Sequence, residues 1–190
     1  MSLRQAFLRL IETETANAGE GKPAAISARM NSLTDGELIR ALYTASIAGV
    51  KIRLLIRGTC CLRPGMPGVS ENIAVSSIID RYLEHSRIFI FEARGNPRVF
   101  LSSADWMTRN LNRRVEILFP IEDETLKEEI TEMLELSLSD NVKRRIASPN
   151  GEYARPSRRG REAVHSQMEH HRRTEESIKK AKKAHFLLHH

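Results

Sequence analysis

Val50-Lys51-Ile52-Arg53-Leu54-Leu55-Ile56-Arg57-Gly58 is the stretch on which the fold turns. Val50, Ile52, Leu54 and Ile56 alternate with Lys51 and Arg53, the two-residue period of a strand, and the chain then passes straight into Arg57 and Gly58. Just upstream, Thr34 and Glu37 have the spacing of a capping box, and Leu38, Ile39, Leu42 and Ile47 line one side of a helix that stops at Gly49. Before that helix, Ala24 to Met30 reads as another strand, with Asn31 and Ser32 at its carboxyl end. Strand, helix, strand predicts a parallel pair with a right-handed crossover, and in such sheets ligands sit beyond the carboxyl ends of the strands. Arg57 therefore stands where a ligand would be.

Further out, Leu3, Phe7, Leu10 and Ile11 predict an amphipathic helix over residues 3–17 that ends at Gly19 and Gly21. Gly58 to Ser70 holds too many glycines and prolines for a regular element and reads as a shaped loop. Ile78, Ile79, Tyr82 and Leu83 predict a short helix. Arg87 to Glu92 and Arg98 to Ser102 predict a hairpin about Gly95-Asn96-Pro97, and Val115 to Phe119 a strand closed by Pro120. Leu126, Ile130, Met133, Leu134 and Leu138 mark one more helix, with Glu122, Asp123 and Glu124 where its dipole favours acids. Residues 148–160 read as a linker, and 162–184 as a helix polar nearly all round.

With 190 residues, 41% of them hydrophobic, the chain can bury one core of its own. No apolar run has the length of a membrane span and no signal peptide opens the chain. The expected location is the cytoplasm, with room for peripheral association with the inner membrane. Cys60 and Cys61 are adjacent, a poor geometry for a disulfide and too few thiols for a metal site, so both are expected as packing residues. The net charge of +6 belongs to the end of the chain: residues 141–190 hold 13 Lys/Arg against 5 Asp/Glu, and the residues before them 17 against 19. Such a tail is a solvated extension or a polyanion contact. Aromatic residues make up only 5%, which argues against a base-stacking nucleic-acid surface, and Trp106 is expected as a core anchor rather than an adenine platform.

Groups suited to phosphate crowd between residues 57 and 114: Arg57, Arg63, Arg81, His85, Arg87, Arg109, Arg113 and Arg114, with Asn72, Ser102, Ser103 and Asn110 as neutral donors. The planar fork of arginine matches phosphate oxygens. His85-Ser86-Arg87, four apolar residues and Glu92 resemble a degenerate His-x-Lys-x4-Asp motif of the phospholipase D superfamily, and Ser102-Ser103-Ala104-Asp105 resembles its Gly-Ser-x-Asn. Arg87, Glu92 and Ser102 depart from that pattern, and the departures speak against a phosphodiesterase.

Longer runs carry a closer resemblance. Ile56-Arg57-Gly58-Thr59-Cys60-Cys61-Leu62-Arg63-Pro64-Gly65, Ser70-Glu71-Asn72-Ile73, Arg81-Tyr82-Leu83-Glu84-His85-Ser86-Arg87 and Ser102-Ser103-Ala104-Asp105-Trp106-Met107-Thr108-Arg109-Asn110 are similar to the last domain of the polyphosphate kinase family, as is Met30-Asn31-Ser32-Leu33. The resemblance implies an α/β fold, a mixed sheet flanked by helices and a phospholipase D-like half over residues 1–147, and composition adds a basic linker and C-terminal helical tail over 148–190. It also implies reversible transfer of the ATP γ-phosphate to polyphosphate through a phosphohistidine, with Mg2+. Arg57 and His85 match ATP-binding positions, and His85 also matches a histidine implicated in catalysis. Arg63, Arg87, Asn72, Ser103 and Arg109 are expected to add phosphate contacts.

In that family the phosphorylated histidine and the metal ligands lie in a preceding domain, and no His-x-Lys motif precedes residue 57 here. The expected partners are thus ATP or ADP, inorganic polyphosphate, the upstream domains of the same enzyme and further copies of it. The isolated chain is expected to be inactive. The alternatives are a noncatalytic polyanion-binding module driven by the basic tail and a phospholipase D-like phosphodiesterase.

Overall fold

The computed structural model describes residues 2–188, with side chains through Lys182. Its centre is an eight-stranded mixed sheet in the order β6-β5-β4-β1-β2-β3-β7-β8. β1 (Ala25–Met30), β2 (Lys51–Ile56) and β3 (Ile73–Ser77) run parallel; β4 (Ile88–Phe91), β5 (Arg98–Ser102) and β6 (Leu118–Ile121) continue antiparallel on one side. On the other side β7 (Arg145–Ala147) pairs antiparallel with β3 and β8 (Tyr153–Ala154) with β7.

Alternation along each strand divides the core between the two faces. Ile26, Ala28, Met30, Ile52, Leu54, Phe89 and Phe91 meet α1 (Leu3–Gly19) and α2 (Gly36–Ile47). Phe7 of α1 packs on Phe89 and Trp106 with ring centroids 4.7 and 5.4 Å away, and Trp106 is completely buried, the anchor expected of it. Leu55, Ile88, Ile90 and Val99 face the other way, onto Leu134 and Leu138 of α4 (Glu124–Ser139). Each large side chain so buried contributes roughly 1.5–3 kcal/mol. The same face carries Ser27, Arg29 and Arg53, whose polar ends are met by Ser137 and Glu135 of α4 and by one another.

Several elements differ from their sequence-based expectation. The start of α2 is capped by Asp35, not Thr34: its carboxylate accepts from the N–H groups of Glu37 and Leu38 at 3.2 Å and also binds Arg4 and Thr108. Residues 78–87 form no helix, because Ile79 and Leu83 are 76% and 77% exposed while Ile78 is buried, so the apolar residues do not share a face. The hairpin turn is made by Ala93–Gly95, with left-handed φ of 44° at Ala93 and 65° at Arg94, rather than by Gly95-Asn96-Pro97. The strand expected at 115–119 lies at Leu118–Ile121 and contains Pro120, after an unforeseen α3 (Thr108–Arg113). Residues 148–160 are not a plain linker, since β8 joins the sheet within them, and just beyond Asn141 bonds Glu162 and Val164. Beyond them runs α5 (Ser166–Leu188). Cys60 is half-buried, with burial pushing its thiol pKa up, whereas Cys61 is exposed and does not pack as expected. Among the described residues no helix is long and apolar enough to cross a membrane.

Candidate functional site

The carboxyl ends of β1 and β2 are stitched together by main chain. Arg57 N–H donates to the Met30 carbonyl at 3.3 Å and Gly58 N–H to the Asn31 carbonyl at 2.8 Å. A Cβ on residue 58 would lie 2.9 Å from that same carbonyl oxygen, so only glycine permits the approach. Leu33 then bridges to Cys60 on one side and Trp106 on the other, which brings the segment after β5 beside both strand ends.

A third segment closes over them. β3 and β4 stand three positions apart in the sheet, with β2 and β1 between, so residues 78–87 must cross the carboxyl ends of both intervening strands. At strand spacings of about 4.8 Å this is a span of roughly 14 Å, well within the reach of ten residues. The crossing places His85 at the site, exposed to solvent.

One run of hydrogen bonds links the three segments. The Nε of Arg57 donates to Asn31 Oδ1 at 3.0 Å. Asn31 donates its backbone N–H to Asp105 Oδ1 at 2.7 Å and its side-chain amide at 3.2 Å. Arg87 donates to both oxygens of Asp105 at 3.2 Å, and its Nη1 and Nη2 lie 3.1 and 3.2 Å from Nδ1 and Nε2 of His85. A guanidinium only donates and a neutral imidazole accepts at one nitrogen, so at most one of those two ring contacts is a hydrogen bond and the other is stacking. Arg87 thereby fixes the ring; its Nη1 also donates to the His85 carbonyl at 3.2 Å. Asp105 is 6% exposed. Burial pushes its carboxyl up, but the bonds from Arg87 and the Asn31 N–H, with the Arg87 charge, outweigh this and hold it below the usual carboxylate range.

Of the residues singled out from the sequence, Arg57, His85 and Arg87 come together. Arg57 is half-buried, and among the described residues its two terminal nitrogens have no protein partner. Arg87 is different: all three of its nitrogens are engaged within the site, so it positions rather than offers itself to a ligand. Arg63 turns aside, donating from Nε and Nη2 to the Pro149 carbonyl at 3.0 and 2.8 Å. Ser103 bonds Glu116 and the N–H of Ile117. Arg109 is exposed on the first turn of α3 with no partner among the described residues. Asn72 lies at the far end of the sheet, before β3, where it binds Ser46 and Lys51. Asn31 and Asp105 were not singled out as site residues. The available signal was position, since both directly follow strand ends or the small-residue run that carries the resemblance.

A crevice of about 10 Å³ lies beside Arg57, lined by Arg29, Leu55, Ile78, Glu84 and Ser86, with space for about one water, so a phosphate chain would have to lie above it. The groove of about 340 Å³ between β5 and α4 is lined by Glu124, Glu128 and Glu132 against the single cation Lys127, a charge pattern that repels anions. Among the described residues no three His, Cys, Asp or Glu side chains gather in a way that could hold a metal ion.

The family model for polyphosphate kinase C-terminal domain 2 matches residues 1–167. The chain belongs to that family. It is 51% identical over 166 residues to a polyphosphate kinase of Bacillus anthracis, covering 87% of this chain and 24% of the relative. It is 52% identical over 159 residues to one of Pseudomonas aeruginosa, covering 84% and 23%. The crystal structure of a polyphosphate kinase from Porphyromonas gingivalis superposes with a TM-score of 0.89 at 40% identity, over 94% of this chain and 27% of that one. The C-terminal domain 2 described here thus spans about a quarter of the length of the relatives it matches. NucT from Helicobacter pylori, at 13% identity and a TM-score of 0.51 over 73% of this chain and 92% of its own, shares the fold alone.

Proposed function

We propose that this domain forms the nucleotide- and phosphate-holding part of an ATP:polyphosphate phosphotransferase. The observation that carries the reading is that Arg57, whose two terminal nitrogens have no partner among the described residues, and the exposed His85 stand at the two ends of one hydrogen-bonded run beyond the carboxyl ends of parallel strands. Arg57 donates to two phosphate oxygens while its Nε stays on Asn31, a geometry that fixes the anion in direction as well as in place. His85 faces the same anion and hydrogen-bonds its oxygens.

In the complete enzyme a histidine of the preceding domain attacks the γ-phosphorus of ATP. A P–N bond forms, the bond from phosphorus to the β-γ bridging oxygen breaks, and ADP leaves. A terminal oxygen of polyphosphate then attacks the same phosphorus and the P–N bond breaks, which lengthens the chain by one phosphate. Arg57 neutralises charge on the nonbridging oxygens in both steps, and His85 hydrogen-bonds them. By itself the domain binds the triphosphate and does not turn it over, because positioning on one side of the transferring group supplies only part of the catalysis.

Calorimetric titration of ATP and of tripolyphosphate into the 190-residue chain tests this. Arg57→Ala and His85→Ala should each weaken binding. If neither does, and removal of residues 148–190 alone abolishes it, the basic tail is the polyanion contact and the reading fails.

A further inference from the structure

The segment that carries His85 has no secondary structure of its own between the end of β3 and the start of β4. Alternate residues of it, Asp80, Tyr82 and Glu84, are nevertheless held one by one. Asp80 is paired with Lys143 at 2.9 Å and with Nε2 of His165. Tyr82 is held by Gln167, whose Oε1 accepts from the Tyr82 N–H at 2.8 Å and whose Nε2 donates to the Tyr82 carbonyl at 2.9 Å. Glu84 is paired with Arg29 at 2.6 Å. Ile79, Arg81 and Leu83, between them, face solvent.

Two of these three holds come from the far end of the sequence, from either side of Ser166. Ser166 is itself fixed by Asp140, which accepts from its N–H at 2.7 Å and its hydroxyl at 2.8 Å. Gln167 is 4% exposed, and its amide and the two main-chain groups of Tyr82 close a reciprocal pair of hydrogen bonds, as two strands would. Only Leu83 and Glu84 separate that pair from His85.

We propose that His165 and Gln167 are positioning residues for His85: the first turn of α5 is part of the anion site. This rests on the reading of Arg57 and His85 as phosphate ligands. Without Gln167 the Tyr82 N–H and carbonyl lose their partners, and the crossing segment samples conformations in which His85 no longer sits on Arg87. Affinity falls by the fraction of molecules that keep the competent arrangement.

The test compares the whole chain with Gln167→Ala and His165→Ala, using inorganic tripolyphosphate as the probe. The His85 imidazole signals are followed by NMR, assigned with His85→Ala, together with amide exchange over residues 79–86. Gln167→Ala should weaken tripolyphosphate about tenfold, the loss expected for one to two hydrogen bonds. It should also split or broaden the His85 signals and speed exchange in that segment, while the rest of the sheet keeps its protection. His165→Ala leaves Lys143 on Asp80, so it should act in the same direction more weakly, and it carries the test if Gln167→Ala does not fold. Folded variants with wild-type His85 signals and wild-type affinity would overturn the proposal. If the wild-type chain binds no tripolyphosphate while the His85 signals still split in the variant, the phosphate reading falls and the positioning role stands.

Discussion

Asn31 grips Asp105 twice, once through its own backbone N–H and once through its side-chain amide, and in doing so ties the end of β1 to the segment after β5. Asp105 meets Arg87 from its other side, so one carboxylate serves two segments. Asp105→Asn keeps the shape but leaves the largely buried guanidinium of Arg87 without its counter-charge. A loss of about 3 kcal/mol is expected, measured as a lower urea midpoint at unchanged slope.

Arg57→Ala removes the free fork and should weaken tripolyphosphate by about ten- to a hundredfold, the range for charge-assisted bonds. Arg57→Lys restores the charge but cannot serve Asn31 and two phosphate oxygens together, so titration calorimetry should find it much closer to the alanine variant than to wild type.

Gly58→Ala drives a methyl group onto the Asn31 carbonyl, a main-chain atom with little room to yield. The expected cost is about 1–3 kcal/mol. Because the side chain of Asn31 accepts from Nε of Arg57, the folded fraction should also bind tripolyphosphate less tightly, which a melting curve and a titration on the same sample would separate.

Acid should act through several buried carboxylates. Burial raises the Asp140 carboxyl, but N–H donors from Lys143, Ser166 and Arg144 and the Ser166 hydroxyl more than reverse this, and Asp105 is lowered likewise. Groups depressed in the folded state stabilise it fully above their unfolded pKa, and that stability is lost as pH falls through the folded values. Glu14 runs the other way: burial lifts it, so the folded state gains as pH falls from its raised value to that of ordinary glutamate. Denaturant unfolding followed from about pH 6 to pH 2 should be shallow at first and steep below about pH 4. Asp140→Asn should flatten the steep part.

Trp106, stacked on Phe89 at 5.2 Å and wholly enclosed, should emit at short wavelength and resist iodide. ATP should leave that emission unchanged. Quenching on addition of nucleotide would mean that the indole meets the base after all. Trp106→Ala should cost about 3–5 kcal/mol.

The parallel β1-α2-β2 unit could be read from alternation and helical spacing because each of its faces is uniform, and Arg57 followed from the rule of strand ends. The crossing segment could not. Its Ile78, Ile79, Tyr82 and Leu83 have helical spacing, yet the chain there takes no regular structure and what fixes it, Lys143, His165 and Gln167, lies more than 60 residues away in sequence. Arg87 was read as a phosphate ligand because its type and place suit one. Only the positions of Asp105 and His85 in space reveal that its nitrogens are already committed.

Pro120 sits opposite Phe100 in the outermost strand on one side of the sheet, and the outermost strand on the other side, β8, is only two residues long. A proline in a ladder leaves no N–H for an incoming strand, and so short a β8 presents almost no template for one. Both margins of a broad, largely apolar sheet are thus poor seeds for strand addition between molecules, which guards the protein against fibrous self-association. Replacing the proline with threonine would reopen that margin.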